Sequence, residues 1–263
     1  MDNVSKTMYI PLYGKSFVSK RGLILKDPKA EEIWAAEGFP LRGKAKSKWL
    51  AYYMGMRSAV FDSWLGERLA EAGDAAILHL GCGMDSRVER VGRKGDAWYD
   101  VDLPPVIRER KRYYRETETY HMLEGDLCST DWLEAIPAGK RAIVLMEGVS
   151  MYLEPEALNR TLAAITRHFG SVVLLMDCYT TLGARATKYK NPINTVGVTR
   201  VWGMDDPRKP EQNTGLAFVR EHEMTPEAMI RTLPGLERPV FRKLFAGGVS
   251  RKLDRLYEYR YFF

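Results

Sequence analysis

Residues 75–83, AAILHLGCG, form a short and mostly apolar run that stops on two glycines. Four more runs repeat the design: DAWYDVD at 96–102, TYHMLEGD at 119–126, RAIVLMEG at 141–148 and SVVLLMD at 171–177. Each ends in glycine or an acid. Apolar runs this short, bounded by turn residues, read as buried strands. Between them lie PPVIRERKRYYRE (104–116), STDWLEAI (129–136) and EPEALNRTLAAITRHF (154–169). These read as helices, with proline in the first turn or Ser/Thr at the cap. Strand and helix in alternation means βαβ crossovers, and therefore a mostly parallel sheet covered on both faces.

On the N-terminal side, residues 44–72 carry helical periodicity. Trp49, Tyr53, Met56, Val60 and Trp64 lie along one side, with Leu50, Met54, Phe61, Leu65 and Leu69 beside them. Residues 1–72 are therefore expected as a helical cap on a core spanning 73–177. After Asp177 the alternation weakens. NPINTVG (191–197) and GMDDPRKPEQNTG (203–215) are turn-rich, so 178–224 reads as an inserted, substrate-facing segment. TPEAMIRTL (225–233) opens with Thr225 as a cap and Pro226 at the first helical position, and RLYEYRYFF (255–263) is β-prone. Residues 225–263 are thus expected to add a helix and the last strands to a single α/β domain.

At 263 residues the chain can bury a full core, and 45% hydrophobic with 28% charged residues excludes disordered, collagenous and coiled-coil classes. No stretch approaches the roughly 20 apolar residues of a membrane span, and residues 1–17 resemble neither a signal nor a transit peptide. The expected location is the cytoplasm. Cys82, Cys128 and Cys178 contain no C-x-x-C spacing and the four histidines are isolated, which fits a reducing compartment and argues against a metal centre. Net charge is +6, and residues 1–57 carry 11 Lys/Arg against 5 Asp/Glu, leaving 29 of each elsewhere. Such a basic segment can meet a polyanion, an anionic substrate or water.

In an open parallel sheet, ligands bind beyond the carboxyl ends of the strands, where strand order reverses. The first strand ends in Gly81-Cys82-Gly83, a turn that lets backbone N–H groups approach a ligand. About twenty residues on, Asp102 ends the second strand, where a carboxylate can take both hydroxyls of a ribose. It could equally cap the helix at Pro104. Asp85, inside the glycine turn, would repel a pyrophosphate and suits a ligand with positive charge and no phosphate. S-adenosyl-L-methionine has that chemistry. A nicotinamide-dependent oxidoreductase would use the same sheet, but Asp85 and the serine at position 86, where a third small residue is wanted, count against it.

The third strand offers Asp126 for an adenine amino group and Leu127 for the ring, or else an ordinary Gly-Asp turn. Glu147 stands at the mouth of the fourth strand, followed by Gly148. Arg57 falls on the row Tyr53, Arg57, Phe61, Leu65 of one helical face, and a guanidinium facing a core needs an anion. That anion is either a ligand carboxylate or an internal Asp or Glu.

LHLGCGMDSR, WYDVDLPPVIRERKR, LEGDL and above all MEGVSMYL resemble the leucine carboxyl methyltransferase family. YIPLYGKSFVSKRGLILKDPKAEEI and MRSAVFD are similar to its bacterial polyketide O-methyltransferase branch. The resemblance implies a seven-stranded, Rossmann-like methyltransferase sheet with a terminal antiparallel hairpin and an added helical lid. It implies S-adenosyl-L-methionine as cofactor and S-adenosyl-L-homocysteine as product. Carried over by position, Arg57 would meet the cofactor carboxylate, Gly81 and Gly83 would lie under the methionine portion, and Asp102 would hold the ribose. Asp126 and Leu127 would hold adenine, Glu147 would face the amino group, and Tyr152 would lie near the acceptor or pack on the next helix. Ser86 and Cys82 depart from the family's usual Thr and Ala; serine keeps the hydroxyl, and the small thiol should fit as a buried core residue. The expected partner is a small-molecule acceptor with a carboxylate or hydroxyl group, in preference to a nucleic acid, and no membrane is expected. A protein carboxylate or a modified tRNA base stays open as an acceptor. A carboxylate is already ionised at neutral pH, whereas a phenol, with a pKa near 10, gains from a base.

Overall fold

In a computed structural model of the chain, which describes residues 5–39, 41–71, 74–92, 95–139, 141–187 and 200–262, the five apolar runs are five parallel strands. They are β1 (Ala76–Leu80), β2 (Ala97–Asp102), β3 (Tyr120–Glu124), β4 (Ala142–Met146) and β5 (Ser171–Tyr179). Two more strands, β6 (Ala217–His222) and β7 (Asp254–Phe262), complete a seven-stranded sheet of order β3-β2-β1-β4-β5-β7-β6. β7 is antiparallel to both of its neighbours. The order reverses between β1 and β4, which pair in register from Ala76↔Ala142 to Leu80↔Met146.

The period of two along each strand sorts the core into two layers. Ile77, Trp98, Ile143, Leu145, Val173 and Leu175 face the N-terminal helices, whereas Leu78, Leu80, Val101, Val144, Met146 and Leu174 face the opposite layer. The first layer is α1 (Tyr9–Lys20), α2 (Pro28–Glu37) and α3 (Lys48–Glu71), with the one-turn α4 (Arg87–Arg90) and α5 (Pro104–Arg110). The second is α6 (Pro155–His168), which turns Leu158, Leu162 and Ile165 inward. Helix α1 lies close on α3. A Cβ at Gly14 would come 2.7 Å from Met54 Cβ, and one at Gly55 2.9 Å from Val18 Cγ2. Both positions therefore set the distance between these helices.

Several elements differ from expectation. STDWLEAI gives only a 3₁₀ turn, Asp131–Ala135, and the Thr130 side chain makes no capping bond. TPEAMIRTL gives the single-turn α8 (Glu227–Ile230) with Pro226 at its N-cap, while Thr225 Oγ1 accepts from Gly247 N instead. Residues 178–224 are not all insertion: they hold α7 (Thr181–Ala186) and β6. β6 is an edge strand, mostly solvent-facing, so it shows no apolar run. NPINTVG lies outside the described residues. Helix α9 (Glu237–Phe245) packs Phe241 against Tyr52 of α3. Among the described residues no helix is long and apolar enough to cross a membrane, and no His/Cys/Asp/Glu cluster could hold a metal ion.

Candidate active site

A cavity of about 130 Å³ opens at the carboxyl ends of β1, β4 and β5, where strand order reverses. Its lining brings together Arg57, Gly81, Gly83, Asp102, Glu147 and Tyr152, six of the residues singled out in the sequence. The glycine turn has a steric basis. Gly81 and Gly83 have φ of +65° and +51°, and a Cβ on Gly81 would meet Val149 Cγ2 at 2.5 Å. Asp102 ties this turn to β2, accepting from Gly83 N at 2.8 Å and from Leu103 N at 2.7 Å. Leu103, not Asp102, is the N-cap of α5, so capping is not its role. Burial pushes the Asp102 carboxyl up to about 6, against the pull of those two backbone N–H groups.

Arg57 does not wait unpaired for a ligand, as a clamp engaged by the ligand alone would. Its Nε donates to Glu147 Oε1 at 3.1 Å and its Nη1 to Asp177 Oδ2 at 2.8 Å. Burial works against its charge, and Asp177 and Glu147 outweigh it, holding the guanidinium firmly protonated. A Cβ on Gly148 would lie 3.0 Å from Arg57 Nη2, which explains the glycine after Glu147. Asp177 is fixed in turn, its Oδ1 accepting from Gly148 N at 2.6 Å. Glu147 gives its second oxygen, Oε2, to Arg87 Nη2. Burial opposes ionisation there too, but Arg87 and Arg57 hold the Glu147 carboxyl below the usual range.

Asp85 needs a correction. Asp85 borders the cavity, but its carboxylate is already paired: Oδ2 with Lys15 Nζ of α1 at 2.7 Å, and Oδ1 with Arg90 Nη2 at 3.0 Å. The repulsion argument drawn from it therefore fails, because its charge is already balanced. Asp126 and Leu127 stand elsewhere. Asp126 is exposed, and its Oδ1 accepts from Cys128 N at 2.8 Å, the Asx turn that the Gly-Asp reading allowed. Leu127 is buried in the layer of α6, where Thr161 Oγ1 donates to its carbonyl at 2.6 Å. Gly125 N still donates to Asp102 O at 2.9 Å, so the mouth of β3 adjoins the cavity without lining it.

Tyr152 lines the cavity, and burial raises its hydroxyl to about 12, leaving a neutral donor. Tyr179, from the end of β5, lines the same space and is likewise held neutral by burial. Thr7, Met8, Ile10, Pro11 and Lys15 supply the wall contributed by the N-terminal segment. Behind the turn Ser150–Tyr152, a second cavity of about 290 Å³ shares Met151 with the first and is lined by Leu158, Cys178, Trp202 and Met204. Reading the sequence missed Lys15, Arg87, Asp177 and Tyr179. Asp177 and Tyr179 had a signal, since both stand where an apolar run ends.

This sheet order, with its closing antiparallel strand and a cavity over the glycine turn, defines a Rossmann-like methyltransferase fold. The magnesium protoporphyrin IX methyltransferase of Synechocystis PCC 6803, solved with bound SAH, shares it at TM-score 0.52 and 13% identity, covering 89% of this chain and 93% of that one. So does the geranyl diphosphate C-methyltransferase of Streptomyces coelicolor A3(2), at TM-score 0.52, 14% identity and 86% and 84% coverage. At such identities the likeness is one of fold. The chain belongs to the leucine carboxyl methyltransferase family, whose model matches residues 6–166. The tetracenomycin polyketide synthesis O-methyltransferase of Streptomyces glaucescens is 34% identical over 170 residues, 64% of this chain and 63% of that protein. A S-adenosyl-L-methionine-dependent methyltransferase of Gibberella zeae is 30% identical over 169 residues, 56% of this chain and 54% of that protein. The chain thus spans somewhat less than two thirds of the first relative and about half of the second.

Proposed function

We propose that this protein is an S-adenosyl-L-methionine-dependent O-methyltransferase acting on a carboxylate or hydroxyl of a small molecule. The observation that carries this reading is the cavity at the strand-order reversal, with a ribose-competent acid on one side and a paired Arg57–Glu147–Asp177 cluster on the other. Those residues suit a ligand that carries a diol, an ammonium and a carboxylate. Asp102 would take the diol and Glu147 the ammonium, while Arg57 would turn part of its fork to the carboxylate. Leu103 and Val106, which line the cavity, would meet the nucleobase.

When bound, S-adenosyl-L-methionine supplies a methyl group on a sulfonium, ready for in-line displacement. The chain's own task is to place an acceptor oxygen about 3–3.5 Å from that methyl and to exclude water. Tyr152 and Tyr179 can orient the acceptor by hydrogen bonding, and the wall of Met8, Ile10, Pro11 and Met151 keeps the space dry. The relatives' printed functions, a polyketide O-methyltransferase among them, support a small-molecule acceptor over a protein or tRNA. A cytoplasmic site of action suits three unpaired thiols, Cys82, Cys128 and Cys178.

Calorimetry with S-adenosyl-L-methionine, S-adenosyl-L-homocysteine and NAD tests the cofactor. The first two should bind and raise the melting temperature by mass action, and NAD should do neither. NAD binding without S-adenosyl-L-methionine binding would reject the reading. Labelled methyl transfer to a panel of aromatic carboxylic acids and phenols then identifies the acceptor class.

A further inference from the structure

Arg87 is fully buried and is not among the residues lining the cavity, yet the site's contacts converge on it. Its Nη2 donates to Glu147 Oε2 and, at 3.1 Å, to Ser58 Oγ, and pairs more loosely with Asp85 Oδ2 at 3.5 Å. Its Nε donates to Asp62 Oδ1 at 2.7 Å, and its Nη1 meets His79 Nε2 at 3.2 Å. His79 is itself held by Asp100, Nδ1 to Oδ1 at 3.0 Å, so the ring presents Nε2 as the acceptor for Arg87. The guanidinium lies 5.3 Å from the centre of the Phe61 ring, which it faces. Every edge of the fork is thus committed in a fixed direction, and Arg87 cannot swing into the cavity.

Glu147 does line the cavity, and each of its oxygens has its own arginine: Oε1 has Arg57 and Oε2 has Arg87. The two arginines are not equivalent. Arg57 borders the cavity and is the cation a ligand carboxylate can draw on, whereas Arg87 lies behind Glu147, out of any ligand's reach. We propose that Arg87 is the positioning residue for the amino-acid end of the cofactor, holding the Glu147 carboxylate charged and aimed at the cavity while Arg57 is shared with the ligand. The inference rests on the S-adenosyl-L-methionine reading above. It explains how one arginine can serve both internal acids and a ligand: the acid it partly releases retains a second cation. Lysine in this place would keep the charge but could not satisfy Asp62, His79 and Glu147 from one planar fork.

The test compares S-adenosyl-L-homocysteine with 5′-methylthioadenosine, which keeps the nucleoside but lacks the amino-acid tail. Both are titrated by calorimetry into the wild type, R87K, R87Q, E147Q and the E147Q/R87Q double variant at neutral pH. R87Q should weaken S-adenosyl-L-homocysteine by about tenfold or more, the scale of losing a charge-assisted hydrogen bond. 5′-Methylthioadenosine should stay within about twofold, and R87K should recover part of the loss. In the E147Q background R87Q should add no more than about twofold, because the two residues act as one unit. Parallel loss of both ligands in R87Q, unchanged binding of the first, or a further large loss in the double variant would each overturn the proposal. If R87Q fails to fold, R87K decides: it must weaken S-adenosyl-L-homocysteine and spare 5′-methylthioadenosine. A wild type that binds neither ligand removes the cofactor reading itself, and this inference with it. A wild type that binds both, with R87Q affecting them equally, removes the inference alone.

Discussion

At the scale of single residues, Asp102 makes the sharpest statement. Its carboxyl is raised by burial from 3.8 to about 6 in the folded protein, while a diol ligand requires the ionised form. Cofactor affinity should therefore be flat above about pH 6 and fall by about tenfold per pH unit below it. Asp102→Asn should bind about 1–3 kcal/mol more weakly, with that pH dependence gone. Titrations from about pH 5 to 8, spanning the raised value, check both outcomes, and an unchanged slope in the variant would remove Asp102 from the binding step. Arg57 gives a second prediction. Arg57→Ala leaves Asp177 and Glu147 without their shared cation, so the ligand-free protein should lose about 3–5 kcal/mol in urea unfolding, and Arg57→Lys should lose less. Strand-end acids and the glycine turn were legible in the sequence because position alone places them at the cleft. Lys15, Asp85 and Arg87 were not, since whether a buried charge faces a ligand or a partner is settled by residues distant in sequence. Asp126 shows the limit: its strand end was read correctly, but a local Asx turn takes its side chain away from the cavity.

Among the elements, the β1–β5 strands and α3 were legible because burial on one or both faces writes a period into the sequence. β6 was not, being an edge strand with little to bury, and α9 was obscured by Pro239 and a run of charges. The close approach of α1 to α3 carries functional weight, because α1 and the turn before it form one wall of the cavity. Gly55→Leu would force Val18 away from a position only 2.9 Å from the new Cβ. The expected cost is about 1–3 kcal/mol of overpacking, with a larger effect on cofactor affinity than on the melting of the sheet. Calorimetry beside circular dichroism separates the two, and full cofactor affinity in a destabilised variant would show that the wall is not needed for binding.

For the whole molecule, buried acids of two kinds pull stability in opposite directions with pH. Asp100, beside Arg110 and His79, is held at about 2 in spite of its burial, and Glu258, beside His222 and Arg220, also at about 2. Depressed values of this kind stabilise the fold above the ordinary 3.8 and 4.5, and that contribution is lost as pH falls toward 2. Asp102 works the other way, favouring the folded state as pH drops through 6. The urea midpoint should therefore peak on the acid side of neutrality, near pH 5, and collapse between about 4 and 2. A midpoint that declined steadily from pH 7 downward would contradict these assignments. The place of β7 has a consequence during synthesis. β6 pairs with no strand but β7, and β5 keeps one edge open until β7 is inserted between them. On the ribosome β6 emerges first and must wait, while β5 exposes an unpaired edge along seven buried residues, 172–178. A stalled or prematurely released chain would carry that edge into the crowded cell as a template for aggregation, so the segment 254–262 decides whether the newly made protein stays soluble.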